Sequence, residues 1–333
     1  MQESRMKLDN VLQPYINQID RELKGFLNRK KPEELYEAVR HLPNAGGKRF
    51  RPIVSILAAQ TVGGDINEVM PFAVSIEVLH TYTMIHDDII DDDAKRRGVE
   101  AVHKKFGDHV GLLAGDTLHS LTFEALGKLN VDAALYREIV MDISKLSTEI
   151  SEGQYHDLNF ERQRKIADMD YYHMIERKTA SLFEVAMKNG AKIAGADASQ
   201  VKKLSEAGRL MGLAYQVWDD YLDVASDSES ELGKQIYADI MRGKKTMPLV
   251  RALDTLDPFD KRKLIDAIKK KDTSKENIDE ILGYLKKSGA IDWTRDRAKE
   301  FSSHARTCLT ALPENSARNL LTEICAYIVE RKS

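Results

Sequence analysis

The sequence predicts an all-α protein, organised as one large helical domain over residues 1–333. Three observations carry this. Apolar residues recur at spacings of three and four almost everywhere, as amphipathic helices require. No run shows the sustained two-residue alternation of a half-buried strand. No low-complexity linker or solenoid-type repeat divides the chain, although at roughly 150 residues per domain its length alone suggests two. Only 8 prolines and 19 glycines also argue against a loop-rich sandwich.

The first helix is expected over 4–29, where Leu8, Val11, Leu12, Tyr15, Ile16, Ile19, Leu23, Phe26 and Leu27 mark one face. Further helices are expected over 33–41, 51–62, 66–92, 107–129, 132–158, 168–189, 197–224, 246–255, 258–271, 275–288, 290–310 and 314–331. Asp257 before Pro258 reads as an N-cap with proline in the first turn. Thr273-Ser-Lys-Glu276 fits a capping box. Two segments do not read as helix: 93–106, rich in Lys and Arg, and the polar stretch 225–245.

Composition narrows the function. Lys plus Arg is 50 and Asp plus Glu is 53, a net charge of -3, so neither nucleic acid nor an anionic membrane is an expected partner. Two cysteines, Cys308 and Cys325, make no disulfide framework, and a cytoplasmic location is expected. The N-terminal MQESRMKLDN lacks the apolar region of a signal peptide. Apolar stretches such as Ile53 to Ala59 are too short to span a membrane.

The strongest chemical signal is HDDIIDDD, with Asp87, Asp88 and Asp91 at i, i+1 and i+4. Carboxylates a helical turn apart repel unless a cation lies between them. An isolated acidic run is usually a solvated helix end. Here Val74, Ile76, Val78, Leu79, Met84, Ile85, Ile89 and Ile90 make the helix apolar nearly all round, so its carboxylates need partners, and magnesium suits hard oxygen ligands. WDDYLD repeats the spacing about 130 residues later with Asp219, Asp220 and Asp223. Magnesium usually bridges one or two carboxylates to substrate phosphate. Two facing aspartate clusters therefore predict a diphosphate held by several magnesium ions.

Phosphate also needs cationic donors. Gly46-Gly47-Lys48-Arg49-Phe50-Arg51-Pro52 joins two glycines to a basic cluster at a helix start, though alone it reads as an ordinary solvated loop. Arg96-Arg97-Gly98 follows the first cluster and reads equally as a structural ion pair. Lys178-Thr179 lies inside a helix, where a lysine often snorkels. Lys234, Lys244 and Lys245 lie in or beside the polar segment, where solubility alone would explain them.

GGKRFRP, LHTYTMIHDDIIDDDAKRRG, EGQYHDL, ERKT, YQVWDDYLD and GKQIYADIMRGKKT occur in the order that resembles trans-prenyl diphosphate synthases, from about Gly46 to Pro248. The pattern is closest to short-chain archaeal-type geranylgeranyl and farnesyl diphosphate synthases. The resemblance implies a single all-α bundle of long helices around a deep central cavity, of isoprenoid synthase type, and a homodimer. It implies that Lys48, Arg51, His80 and Arg97 hold the diphosphate of isopentenyl diphosphate. The aspartates Asp87, Asp88, Asp91, Asp219, Asp220 and Asp223 match its two catalytic metal sites, for two or three magnesium ions. Arg96, Lys178, Thr179, Gln216, Lys234 and Lys244 match contacts to the allylic diphosphate, with Lys178 also counted as catalytic and Gln154 and Asp157 nearby. The allylic substrates implied are dimethylallyl, geranyl and farnesyl diphosphate. One departure is Val99-Glu100-Ala101-Val102-His103, where the family often has Pro-Thr or Ala-Thr before the histidine. Which of Lys244 and Lys245 reaches phosphate is open by one position.

Other readings compete. Glu77-Val-Leu-His80 and Glu100-Ala-Val-His103 match the Glu-x-x-His pattern of di-iron bundles, but the other two carboxylate helices are not evident. A terpene cyclase needs no second diphosphate site, and its second metal motif mixes Asn, Ser or Thr with Glu. A non-catalytic synthase subunit would have lost aspartates or basic contacts. A longer-chain synthase is the nearest alternative.

The inferred reaction is head-to-tail prenyl transfer: ionisation of the allylic diphosphate, attack by the alkene of isopentenyl diphosphate, and loss of a proton to the departing pyrophosphate. Segment 225–245 is suggested to close over the substrates and exclude water. Thr83 and Tyr82 lie four and five residues before Asp87, roughly 6 to 8 Å along the helix. An aromatic residue at position 82 either packs on a neighbouring helix or blocks the growing chain. The resemblance favours a block and a product of fifteen or twenty carbons, chiefly geranylgeranyl diphosphate with farnesyl diphosphate as intermediate or co-product.

Overall fold

The computed structural model describes residues 2–163, 166–225, 237–270 and 272–331, with the side chains of residues 2–7 and 238 left aside. The helices are α1 (Gln2–Phe26), α2 (Glu33–Asn44), α3 (Phe50–Thr61), α4 (Ile66–Asp91), α5 (Val102–Phe106), α6 (Asp108–Leu126) and α7 (Ala133–Glu161). They continue with α8 (Asp168–Ile175), a π turn (Glu176–Ala180), α9 (Ser181–Ile193), α10 (Ala198–Ala225), α11 (Ala238–Arg242) and α12 (Met247–Thr255). The last are α13 (Pro258–Lys269), α14 (Lys275–Lys287), α15 (Ala290–Thr310) and α16 (Ser316–Ile328).

The chain forms two compact units. Unit 1 comprises Met1–Ser144, Leu182–Gly208 and Cys308–Ile324. Unit 2 comprises Lys145–Ser181, Arg209–Thr307 and Cys325–Ser333. The boundaries fall inside helices rather than in linkers, so neither unit is a continuous stretch of sequence.

In unit 1, α4 packs most extensively on α6 and α3. Phe72, Ile76 and Leu79 of α4 are fully buried, each contributing about 1.5–3 kcal/mol of apolar burial. Asp65 caps the start of α4, accepting from the Asn67 N–H at 2.7 Å. Left-handed Asp92, φ 56°, ends it beside the first aspartate cluster. On α1, Leu12, Ile19 and Leu23 face inward as the spacing predicts, while Val11 turns out to solvent. In unit 2, Val224, Ile240, Leu249, Leu253, Leu264, Ile281 and Leu285 build a core from α10 to α14.

Four local expectations change. The segment 93–106 contains a hairpin, Lys95–Arg96 paired with Val99–Glu100, followed by α5. Its turn residues Arg97 and Gly98 have φ 53° and 78°, the double left-handed bend that matches strand twist. Two-residue strands are too short to show a period. The second segment contains α11 within its described part, and its residues 226–236 lie outside the described residues. The continuous helix expected over 168–189 is interrupted by the π turn and resumes to Ile193. Asp257 caps α13 as predicted, accepting from the N–H groups of Phe259 and Asp260. Ser274, not Thr273, caps α14 through the Asn277 N–H, which places Glu276 one position too early for the reciprocal bond.

Candidate active site

The basic constellation of unit 1 is built on a loop, a hairpin and two helices. Gly46 and Gly47 lead into α3, whose N-cap is Arg49 in the left-handed region, φ 49°. Arg49 is buried and makes three hydrogen bonds. Its Nε donates to Asp20 Oδ1 at 2.9 Å, Nη1 to Glu77 Oε1 at 2.5 Å and Nη2 to the Pro43 carbonyl at 2.6 Å. Arg97, at the hairpin turn, donates through Nη1 to the Gly46 carbonyl at 2.6 Å and through Nη2 to Glu77 Oε1 at 3.3 Å. Its guanidinium lies across Gly47, where a Cβ would sit 2.9 Å from Arg97 Cζ and the φ of 145° already favours glycine.

In the first turn of α3, Arg51 Nη1 lies 3.0 Å from His80 Nε2, and its Cζ lies 4.7 Å from the Phe183 ring centroid. Burial and the charges of Arg51 and Arg97 hold the His80 imidazole well below its usual pKa, so it is neutral and accepts from Arg51. Lys48 is exposed at the loop. The Glu-x-x-His di-iron reading fails here. Glu77 is committed to two guanidinium groups, and Glu100 lies on the exposed side of the hairpin.

The first aspartate cluster is at the C-terminal end of α4. Asp87 and Asp91 are partly exposed, whereas Asp88 turns inward and is fully buried. Asp88 Oδ1 accepts from Arg96 Nε at 2.7 Å and lies 2.5 Å from Arg96 Nη2. Arg96 Nη2 also donates to Asp93 Oδ2 at 2.9 Å. Burial raises the Asp88 carboxyl to about 6 despite the opposing Arg96 charge. Asp88 Oδ2 is buried with no hydrogen-bond partner among the described residues. Five residues before Asp87 on α4, Tyr82 makes edge contacts with His86 and His119, with centroids 5.0 and 5.1 Å apart. Thr83 turns its hydroxyl back to the His80 carbonyl at 2.8 Å.

The second cluster lies on α10 in unit 2. Asp220 is buried and accepts three hydrogen bonds: from Tyr171 Oη at 2.5 Å, the Met247 N–H at 2.8 Å and Gln216 Nε2 at 3.0 Å. Thr179 Oγ1 donates to Gln216 Oε1 at 2.9 Å, extending the chain to a fourth side chain. Burial still dominates and pushes the Asp220 carboxyl up to about 7. Asp223 is fully buried. Asp219 is partly exposed and lies 3.4 Å from Arg331 Nη2. Arg331 is itself buried, with Cζ 4.1 Å from the Tyr215 ring centroid.

The π turn explains how Lys178 and Thr179 reach this site together. The extra residue in the turn rotates the helix so that Lys178 Nζ donates to Asp157 Oδ2 at 2.7 Å while Thr179 reaches Gln216. Two glycines accommodate it. A Cβ on Gly153 would lie 2.5 Å from the Lys178 backbone nitrogen, and one on Gly212 would lie 2.5 Å from Ala180 Cα. Lys178, Gln216, Asp220, Lys244 and Lys245 line one pocket of unit 2, together with Asp239. Lys244 Nζ is 4.0 Å from Asp157 Oδ2, and Lys245 Nζ donates to the Gly243 carbonyl at 3.3 Å. The Gln154 amide is buried without a hydrogen-bond partner among the described residues. Lys234 and most of the segment suggested to close over substrate lie outside the described residues.

Sequence reasoning passed over Arg49, Glu77, Tyr171, Asp239 and Arg331 as members of these sites. Asp239 stands within the quoted GKQIYADIMRGKKT and was within reach; Arg331 carries no local signal. Among the described residues no group of three or more His, Cys, Asp or Glu is assembled as a metal site. The donor chemistry nevertheless fits a hard dication. It consists of carboxylates spaced a turn apart, suited to an ion that takes one or two protein ligands and completes its shell with water and phosphate oxygen.

Comparison with known proteins agrees. The polyprenyl synthetase family pattern matches residues 32–285. The geranylgeranyl diphosphate synthase of Methanosarcina mazei is 37% identical over 98% of this chain and 99% of its own. The geranylfarnesyl diphosphate synthase of Natronomonas pharaonis is also 37% identical, over 91% of each. The crystal structure of geranylgeranyl pyrophosphate synthetase from Pyrococcus horikoshii matches with a TM-score of 0.93 at 37% identity, covering 98% of this chain and 99% of that one. Polyprenyl synthase from Caulobacter crescentus, complexed with calcium and isoprenyl diphosphate, matches at 0.89 and 29% identity, covering 98% and 97%. Among the described residues no helix is long and apolar enough to cross a membrane. The isoprenoid synthase fold, the two aspartate-bearing helices and the match along most of the chain place it in the polyprenyl synthetase family, as a trans-prenyl diphosphate synthase.

Proposed function

We propose that this enzyme condenses isopentenyl diphosphate head-to-tail with dimethylallyl, geranyl and farnesyl diphosphates, releasing geranylgeranyl diphosphate as its main product. The observation that supports this most is a separate cationic site, Arg51–His80 with Arg97, in addition to two Asp-Asp-x-x-Asp helices. A cyclase would have no use for it.

In this reading Lys48, Arg51, His80 and Arg97 bind the diphosphate of isopentenyl diphosphate. Neutral His80 donates no second charge there; it orients the Arg51 fork. Lys178, Lys244 and Arg96 bind the allylic diphosphate, and Thr179 and Gln216 add hydrogen bonds. Lys178 and Lys244 share Asp157, so a diphosphate competes with that carboxylate for their ammonium groups. Two or three magnesium ions held by Asp87, Asp88 and Asp91 on α4 and by Asp219, Asp220 and Asp223 on α10 would supply Lewis-acid stabilisation of the leaving diphosphate. The lysines stabilise the same developing charge, and holding both substrates on one enzyme removes much of the entropic barrier. The proton lost after coupling goes to pyrophosphate. Homodimeric assembly is part of the proposal.

Tyr82 supports the product length. Its ring is braced by His86 and His119, a rigid aromatic obstacle rather than a loose side chain. The test is incubation with dimethylallyl diphosphate, labelled isopentenyl diphosphate and magnesium, then chromatography of the dephosphorylated lipids. A twenty-carbon product is expected, and Tyr82→Ala should lengthen it. No elongation at all would refute prenyl transfer by these sites; products beyond twenty carbons from the unaltered enzyme would refute the assigned length.

A further inference from the structure

We propose that Glu77, clamped by Arg49, is the positioning residue for Arg97 in the binding of isopentenyl diphosphate; this rests on the assignment of Arg97 to that substrate. Glu77 lies in the middle of α4 and is 1% exposed. A carboxylate so buried needs cationic partners. It has two, and they meet on the same oxygen: Oε1 accepts from Arg49 Nη1 at 2.5 Å and from Arg97 Nη2 at 3.3 Å.

The two arginines are not equivalent. Arg49 is held by Asp20, Glu77 and the Pro43 carbonyl and its side chain is 1% exposed, against 16% for Arg97, so it is out of reach of substrate and serves as the fixed wall of the clamp. Arg97 enters from the hairpin turn and is held by Glu77 on one terminal nitrogen and the Gly46 carbonyl on the other. Its plane is thereby set across Gly47, next to Lys48. A long guanidinium side chain free to rotate would lose entropy on meeting a diphosphate; one already held does not. Glu77 also offsets one positive charge where Arg49, Arg51 and Arg97 converge around His80.

Glu77→Gln keeps the shape and removes the charge. It should raise KM for isopentenyl diphosphate about tenfold, with kcat and the allylic KM changed less than about twofold. Glu77→Asp keeps the charge with a shorter reach and should recover part of the loss, and it serves if the glutamine variant does not fold. Arg97→Ala sets the scale, and adding Glu77→Gln to it should cost little more, because the two act as one unit. If Arg97→Ala raises that KM while neither Glu77 variant does, or if the effects add in full, the positioning role is wrong and the Arg97 assignment stands. If Arg97→Ala leaves that KM unchanged, the Arg97 assignment itself falls and takes the inference with it.

Discussion

The two aspartate clusters share one spacing and solve the same electrostatic problem differently. In each, the second aspartate turns inward: Asp88 is fully buried on α4 and Asp220 is 4% exposed on α10. Asp88 is met by a counter-ion, the Arg96 fork. Asp220 is met by neutral donors, Tyr171, Gln216 and the Met247 N–H. Both carboxyls are raised by burial, to about 6 beside the cation and about 7 without one. The remaining aspartates differ too. Asp87 and Asp91 both stay partly exposed, whereas Asp223 is fully buried and only Asp219 reaches outward. One sequence pattern thus yields an ion-paired inward aspartate in unit 1 and a hydrogen-bonded one in unit 2.

The largest effects should come from the outward aspartates. Asp87→Ala and Asp219→Ala are each expected to lower kcat by about 10³-fold, because in the proposed mechanism each removes a ligand for the ion that stabilises the leaving group. Thermal stability should hold or rise for Asp87→Ala, since like-charge repulsion is relieved, whereas Asp219→Ala also gives up the contact with buried Arg331. Near-normal turnover of either at saturating magnesium would make the clusters functionally unequal.

The inward aspartates should separate the clusters by pH. Removing the cation with Arg96→Met leaves Asp88 buried and unpaired, a loss of about 3 kcal/mol at pH 8 that shrinks toward pH 5 as Asp88 takes a proton. Asp220→Asn should do the opposite. A carboxyl whose folded pKa lies above its unfolded value holds its proton more tightly when folded, so it lowers stability as pH rises from about 4 through about 7. Asparagine escapes that loss. The amide can be accommodated because Gln216 can flip and the Thr179 hydroxyl can turn to accept, while the asparagine oxygen keeps Tyr171 and Met247. Melting temperatures without metal should therefore be higher for Asp220→Asn at pH 8 and equal to the unaltered protein near pH 4. Equal curves at both pH values would show that Asp220 is not held protonated by its surroundings.

The contrast also marks what the sequence can reveal. The helices follow from apolar spacing, and the repeated Asp-Asp-x-x-Asp pattern is visible by eye. The partners are not. Whether an inward aspartate meets Arg96 or Tyr171 depends on a two-residue hairpin and on α8, 49 residues away from Asp220. The π turn defeats any helical wheel: one additional residue shifts everything after it by about 100°. The Ser274 cap was missed by a single position for a similar reason, since two adjacent hydroxyls precede α14 and only backbone geometry chooses between them.

The smallest expected effect concerns Arg331, 112 residues from the aspartate it meets. By sequence it is one more basic residue after the last helix. In the structure it is 3% exposed, stacked on Tyr215, and its Nη2 donates to the Tyr215 carbonyl at 3.2 Å as well as to Asp219 Oδ1 at 3.4 Å. Trp218 Nε1 donates to its carbonyl at 3.0 Å, so side chain and backbone are both tied to α10. The Asp219 contact is long and Asp219 is partly exposed, so its loss removes orientation more than binding energy. Arg331→Met keeps the apolar stem over the ring and deletes the charge. It should raise the magnesium concentration needed for half-maximal activity about threefold, on the scale of a weak charge–charge contact, while kcat at saturating magnesium stays within about twofold. Arg331→Lys should fall between. A lowered melting temperature with an unshifted magnesium curve would reduce Arg331 to a fastener of the C-terminal segment.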